Sequence, residues 1–384
     1  MNVNLKYIII FVLIVNNTYS QHLVKNISFI KKNNYIILTD VVIQGSTKKF
    51  NFLFDTGSSS SSISNNVFKQ LNVTATDSCL VSDGMKKQYT PKTNINLTIN
   101  DVLINNLTVN IIDFSCINSL KCLGIDGIIG GDIIGKYIWK IKTDTLIIGH
   151  KIKKLNTNYY SKFKLQLFSN TPVILAGFKD SYMATMLFDT GDNTLIAINN
   201  KEIQYIDIEK KITGYGKLYS TIFSNNIIDT MCILKPKKEL SLYSHFYVSD
   251  INLDINYSDN ILGTVGNKLL NYFDIILDYK HKKIYFKQKN KTYISNKEFE
   301  FKWIIDDENR VLISFIWKNS LAEKLGVKIG QQIISINGIN LLDKSLTKCD
   351  IFLIMLDAFK KETQLKIKLK DNADLLIFYK KKLI

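Results

Sequence analysis

The sequence predicts a mainly β chain of two similar barrel-like lobes followed by a small α+β unit, and three observations carry that expectation. The segment Phe52-Leu53-Phe54-Asp55-Thr56-Gly57 returns as Met186-Leu187-Phe188-Asp189-Thr190-Gly191, so the chain repeats itself once. A glycine-bearing apolar run follows each copy, Asp126-Gly127-Ile128-Ile129-Gly130 and then Gly263-Thr264-Val265-Gly266. The two pairs of features are displaced by 134 and 136 residues, nearly in step, as two homologous lobes require. Between them lie short β-branched runs with period-two alternation, such as Asn94-Ile95-Asn96-Leu97-Thr98-Ile99 and Asp274-Ile275-Ile276-Leu277-Asp278.

The elements follow in chain order. Lys6 precedes the apolar run 7–15, and Thr18 and Ser20 supply small side chains beyond it. That run is short for a bilayer span, so 1–20 reads as a signal peptide, with an uncleaved anchor or a buried strand as the alternative. The mature chain is then expected to be exported, periplasmic or extracellular, with no stable membrane insertion after cleavage.

Lobe 1 is expected over 21–158 and lobe 2 over 159–290. A brief helix fits near 65–71, and Leu107-Thr108-Val109-Asn110-Ile111-Ile112 alternates as a strand. Asn105-Asn106 and Tyr279-Lys280-His281-Lys282-Lys283 are expected to reverse the chain in hairpins. A third unit, 296–384, opens with the strand Val311-Leu312-Ile313-Ser314-Phe315-Ile316. Its stretch 350–360 places Leu353, Leu356 and Phe359 at helical spacing, and 364–369 alternates as a closing strand.

Composition narrows the function classes. Hydrophobic residues are 46% of the chain and spread along it, which fits packed cores. The net charge of +16 comes from scattered lysines, with no basic stripe interleaved with aromatics, so no nucleic-acid partner is expected. With four His and no Cys/His spacing of the zinc type, no metal is expected either. Of the five cysteines, only Cys116 and Cys122 are close in sequence; they either close a small loop or stay free.

The repeated motif carries the chemistry. Three apolar residues before each Asp place it at the end of a buried strand, where it meets its counterpart. Two carboxyls within hydrogen-bonding distance share one proton, so one serves as general base and the other as general acid toward a water held between them. Glycine after the Thr permits close approach of backbone N–H donors, and the Thr hydroxyl is placed to brace the opposite lobe.

These motifs, over about 33–286, resemble those of the pepsin-like and retropepsin-like aspartic proteases. The resemblance implies a bilobal acid-protease fold and endopeptidase activity on a polypeptide substrate, without metal or organic cofactor. It makes Asp55 and Asp189 the catalytic pair, supported by Thr56, Gly57, Ser58, Thr190 and Gly191. Gly130 and Gly266 would lie on strands crossing behind the two loops. Both carboxyls belong to one chain, so a monomer with an intramolecular site is expected. The second motif continues with Asp192, where the family has Ser or Thr; that acid either raises the local pKa or points to solvent. A flap hairpin is expected at 82–89, with Gly84 and Tyr89 as its candidate residues, and Thr213-Gly214-Tyr215-Gly216 as the matching loop of lobe 2. The C-terminal unit, with Ser320-Leu321-Ala322-Glu323 and Ile333-Ile334-Ser335-Ile336-Asn337-Gly338, resembles a PDZ domain of the bacterial type, which implies peptide recognition by strand addition. It departs from that family at Gly330-Gln331 and near Phe301-Lys302-Trp303. The competing reading is an inactive envelope protein that binds peptides in the interlobe cleft.

Overall fold

The computed structural model describes residues 24–82, 87–115, 117–216, 230–249, 251–256, 263–290, 297–372 and 374–382, and within them the chain is mainly β. The expected signal peptide, Gly84 and Cys116 lie outside the described residues.

The first half contains β1 (Val24–Ile27), β2 (Phe29–Lys32), β3 (Tyr35–Ile43), β4 (Lys49–Phe54), β5 (Ser62–Ser64) and helix α1 (Asn65–Gln70). It continues with β6 (Asp77–Ser82), β7 (Lys87–Ile99), β8 (Val102–Ile112), α2 (Asn118–Cys122), β9 (Gly127–Ile129), α3 (Gly131–Ile134), β10 (Ile138–Ile141) and β11 (Leu146–Gly149). The second half contains β12 (Ser161–Lys164), β13 (Gln166–Phe168), β14 (Thr171–Phe178), β15 (Met183–Asp189), β16 (Ile196–Asn199), β17 (Ile208–Gly216) and β18 (Thr230–Pro236). It ends with β19 (Leu240–Leu242), β20 (Phe246–Val248), β21 (Leu253–Asn256), β22 (Gly263–Gly266), β23 (Phe273–Asp278) and β24 (Lys283–Gln288).

The two halves share one pairing scheme. β4 runs parallel to β9 and β15 to β22, while β5 pairs with β8 and β9 as β16 pairs with β21 and β22. Alternation along these strands divides their side chains between two faces. Phe52, Phe54, Phe188 and Val265 enter the main core, whereas Leu53 and Ile128 join a second apolar cluster on the opposite face. A separate sheet, in the order β1-β11-β10-β23-β24-β12, joins the lobes through the antiparallel pair β10–β23.

The expected reversal at Asn105-Asn106 is not there. β8 passes through both residues, with Asn106 at φ 49° and a register shift against β7 between Ile95 and Leu97. The chain turns instead at Asn100-Asp101, both left-handed at φ 43° and 63°. Asn adopts left-handed backbone in bulges as readily as in turns, so an Asn pair alone does not tell the two apart. The turn at 279–282 lies where expected, between β23 and β24.

The C-terminal unit consists of β25 (Lys297–Glu298), β26 (Phe301–Ile305), β27 (Val311–Trp317), α4 (Leu321–Lys324), β28 (Gln332–Ile336), β29 (Ile339–Asn340), α5 (Lys348–Lys361), β30 (Gln364–Leu369) and β31 (Leu375–Tyr379). Thr347 and Asp350 cap α5 reciprocally, and its Phe352 and Phe359 pack on Trp303 and Phe301 of β26 at 5.6 and 5.4 Å. Cys122 does not pair with its sequence neighbour. It bonds Cys349, 227 residues away, because α2 lies against α5 and brings the two Cα atoms to 4.8 Å.

Candidate active site

β4 and β15 each deliver an aspartate at the point where the strand ends. Phe54 and Phe188 anchor these ends in the core, so alternation turns Asp55 and Asp189 away from it, toward each other. Thr56 and Thr190 lock the two loops together. Thr56 Oγ1 donates to Phe188 O at 2.6 Å and Thr190 Oγ1 to Phe54 O at 2.7 Å. Each hydroxyl also accepts the other threonine's backbone N–H at 3.0 Å. Both threonines are fully buried, so these bonds form away from competing water.

The glycines have a more specific reason than close backbone approach. A Cβ on Gly57 would overlap the Asp189 carboxyl, and one on Gly191 would stand 2.6 Å from Asp55 Cγ. Each carboxyl therefore lies over the glycine of the opposite loop. Gly130 and Gly266 sit where the crossing strands pass their loops: a Cβ on Gly130 would come 2.6 Å from Ser60 O, and one on Gly266 2.7 Å from Asp192 O.

The two carboxyls are not equivalent. Asp55 Oδ1 accepts from the N–H of Gly57 at 2.8 Å and of Ser58 at 3.2 Å, whereas Asp189 Oδ1 accepts from Gly191 at 2.7 Å. Burial raises the pKa of both. The charge of Asp55 and then of Asp192 push Asp189 further, well above the usual carboxylate range. Two carboxyls so placed do not both ionise readily, so the pair shares one proton, and the extra backbone donor on Asp55 favours its charged form.

Of the two roles expected for Asp192, the first holds: its charge raises the carboxyls of Asp189 and Asp55. Asp192 Oδ2 accepts from Thr194 Oγ1 and Thr264 Oγ1, both at 2.8 Å, and its Oδ1 from Thr194 N at 3.0 Å. It is tied into lobe 2, not against Asp189 and not out in solvent. Ser58 Oγ likewise bonds within its own loop, donating to Ser60 O at 2.8 Å.

Where a flap is expected, β6 and β7 pair antiparallel, in register from Asp77↔Lys92 to Ser82↔Lys87, and Tyr89 stands 71% exposed on β7. The matching segment of lobe 2, Thr213-Gly214-Tyr215-Gly216, is no free loop: it forms the end of β17 and pairs with β27. Three titratable groups around the site escaped the sequence reading, two of them neighbours of the dyad. Tyr35 is raised by burial and then by the charges of Asp192, Asp189 and Asp55, and beside it Asn34 Nδ2 donates across the lobes to Asn193 Oδ1 at 2.8 Å. Tyr279 also feels both dyad charges. Asp254 of β21 is the third: burial pushes its carboxyl up to about 6, and the charge of Asp192 adds to the rise. None belongs to a repeated motif, which was the signal that located the others. Among the described residues, no three His, Cys, Asp or Glu are grouped to hold a metal ion.

Solved structures similar in shape include basic 7S globulin from soybean, at 8% identity and TM-score 0.41, covering 70% of this chain and 95% of the globulin. An aspartic proteinase from Irpex lacteus is 12% identical at TM-score 0.45, covering 70% of this chain and 98% of the proteinase. No curated protein matches the sequence. Residues 39–133, which hold Asp55, β6, β7 and Gly130, match the family model described as aspartyl protease.

Proposed function

We propose that this protein is an aspartic endopeptidase in which Asp55 and Asp189 activate a water for attack on a peptide carbonyl. The observation that carries the reading is the dyad itself: two half-buried carboxyls from symmetric loops, braced by reciprocal threonine bonds and both raised above the usual carboxylate range. Ionised Asp55 removes a proton from the water as its oxygen attacks. Asp189 gives its proton to the oxygen of the carbonyl; on collapse Asp55 passes the proton it took from water to the amine nitrogen as the C–N bond breaks, and Asp189 recovers a proton from the intermediate's hydroxyl, which restores the dyad. In the same reading the mature chain is exported, works as a monomer, and closes the β6–β7 hairpin over an extended polypeptide. The C-terminal unit, as a PDZ-like module, adds peptide recognition at the open edge of β26.

The test is cleavage of an unfolded protein between pH 3 and 8 by the wild type and by Asp55→Asn and Asp189→Asn, with folding of each checked. Loss of cleavage in both variants, and inhibition by a pepstatin-type transition-state analogue, supports the dyad. Cleavage that survives either substitution overturns it. Peptide binding without cleavage by the wild type would favour the inactive peptide-binding protein.

A further inference from the structure

We propose that the C-terminal unit is a clamp across the two lobes that sets the width of the cleft, and that the Cys122–Cys349 disulfide is the point at which it is released. It grips lobe 1 through that disulfide, through α2 packed on α5, and through Asn118 Nδ2, which donates to Ile305 O of β26 at 3.2 Å. Phe114, Ile117 and Leu120 of lobe 1 share one apolar core with Ile351, Phe352 and Met355 of α5. It grips lobe 2 by sheet continuation, with Gly214↔Trp317, Tyr215↔Ile316 and Gly216↔Phe315 in register. Lys318 N also donates to Thr213 O at 2.9 Å, and Tyr215 Oη to Glu323 Oε1 at 3.2 Å.

The placement of the second grip gives the clamp its effect on the cleft. β17–β18 is the lobe 2 counterpart of the β6–β7 hairpin, and β27 holds it as an inner strand of a larger sheet. β6 instead ends its sheet, so the lobe 1 hairpin alone keeps a free edge among the described residues. Besides the Thr56–Thr190 bonds at the dyad and the Asn34–Asn193 bond, the lobes are joined at two larger contacts, first through β10–β23 and second through the C-terminal unit. A hinge about the first joint has to break the second. The disulfide is the covalent tie of the C-terminal unit to lobe 1, so breaking it leaves that grip to non-covalent packing. A phosphine reductant opens it by taking up oxygen from water to become the phosphine oxide, leaving two thiols.

The clamp is independent of whether the dyad cleaves, and hydrogen exchange reads it in an inactive protein. Oxidised wild type, wild type reduced with a phosphine under native conditions, and Cys349→Ser are compared by hydrogen exchange and by kinetics on a peptide long enough to fill the cleft. Release is expected to speed exchange at least about tenfold in the interlobe pair β10–β23 as well as in α2, and to raise KM about tenfold with kcat within about twofold. Unchanged exchange in β10–β23 with unchanged KM overturns the clamp, as does a lower melting temperature with neither effect. If the oxidised protein cleaves nothing, the endopeptidase reading fails and the exchange result alone decides the clamp.

Discussion

Thr264 Oγ1 donates to Asp192 Oδ2 at 2.8 Å, and this bond turns the acid that follows the second Asp-Thr-Gly into lobe 2 while leaving its charge close enough to act on Asp189. Asp192→Ser removes that charge, so Asp189 should release its proton at lower pH. The upper limb of the pH profile of kcat/KM should move toward acid by about half to one unit. An upper limb at the wild-type position would show that Asp192 does not tune the dyad.

The raised pKa of Asp189 also has a consequence for stability. A carboxyl that holds its proton more tightly folded than unfolded contributes stability fully present below its ordinary value, about 3.9, and lost as pH rises through the folded value. Melting temperature should therefore fall from pH 4 to pH 8 more steeply in the wild type than in Asp189→Asn, with the variant the more stable at pH 8. Parallel curves would mean that the dyad carries no such penalty.

Thr56→Val keeps the shape of the side chain and removes its hydroxyl. Thr190 N–H and Phe188 O then lose partners in a buried setting, at about 1–3 kcal/mol for each group. Urea unfolding should show that loss, and Thr56→Ser should restore most of it. A Val variant as stable as the wild type would mean that the threonine bonds do not hold the lobes together.

Tyr89 is exposed on the β6–β7 hairpin, so Tyr89→Ala should change unfolding free energy by no more than about 0.5 kcal/mol. If the hairpin covers bound substrate, KM should rise several-fold at nearly constant kcat. An unaltered KM would remove Tyr89 from the substrate contacts.

Much of the site was legible because it is written twice. Apolar-Asp-Thr-Gly states locally that a buried strand ends in a carboxylate and that no side chain fits beyond it, and the downstream glycine states that another chain crosses there. Both statements hold within a few residues, and the second copy supplies the partner. The Asn105-Asn106 pair shows where local reading fails, since left-handed Asn serves turn and bulge alike and only the pairing of β7 with β8 distinguishes them.

By itself, then, the sequence determined the two lobes, the strand alternation that turns the aspartates away from the main core, and the identity of the paired aspartates. Only the tertiary structure decided that Cys122 meets Cys349, that Tyr215 enters the C-terminal sheet, that Tyr35 stands beside the dyad and that Asp192 binds Thr264. Each of these joins residues from separate strands, helices or units, and such contacts follow from how whole sheets stack, which no local pattern of residues encodes.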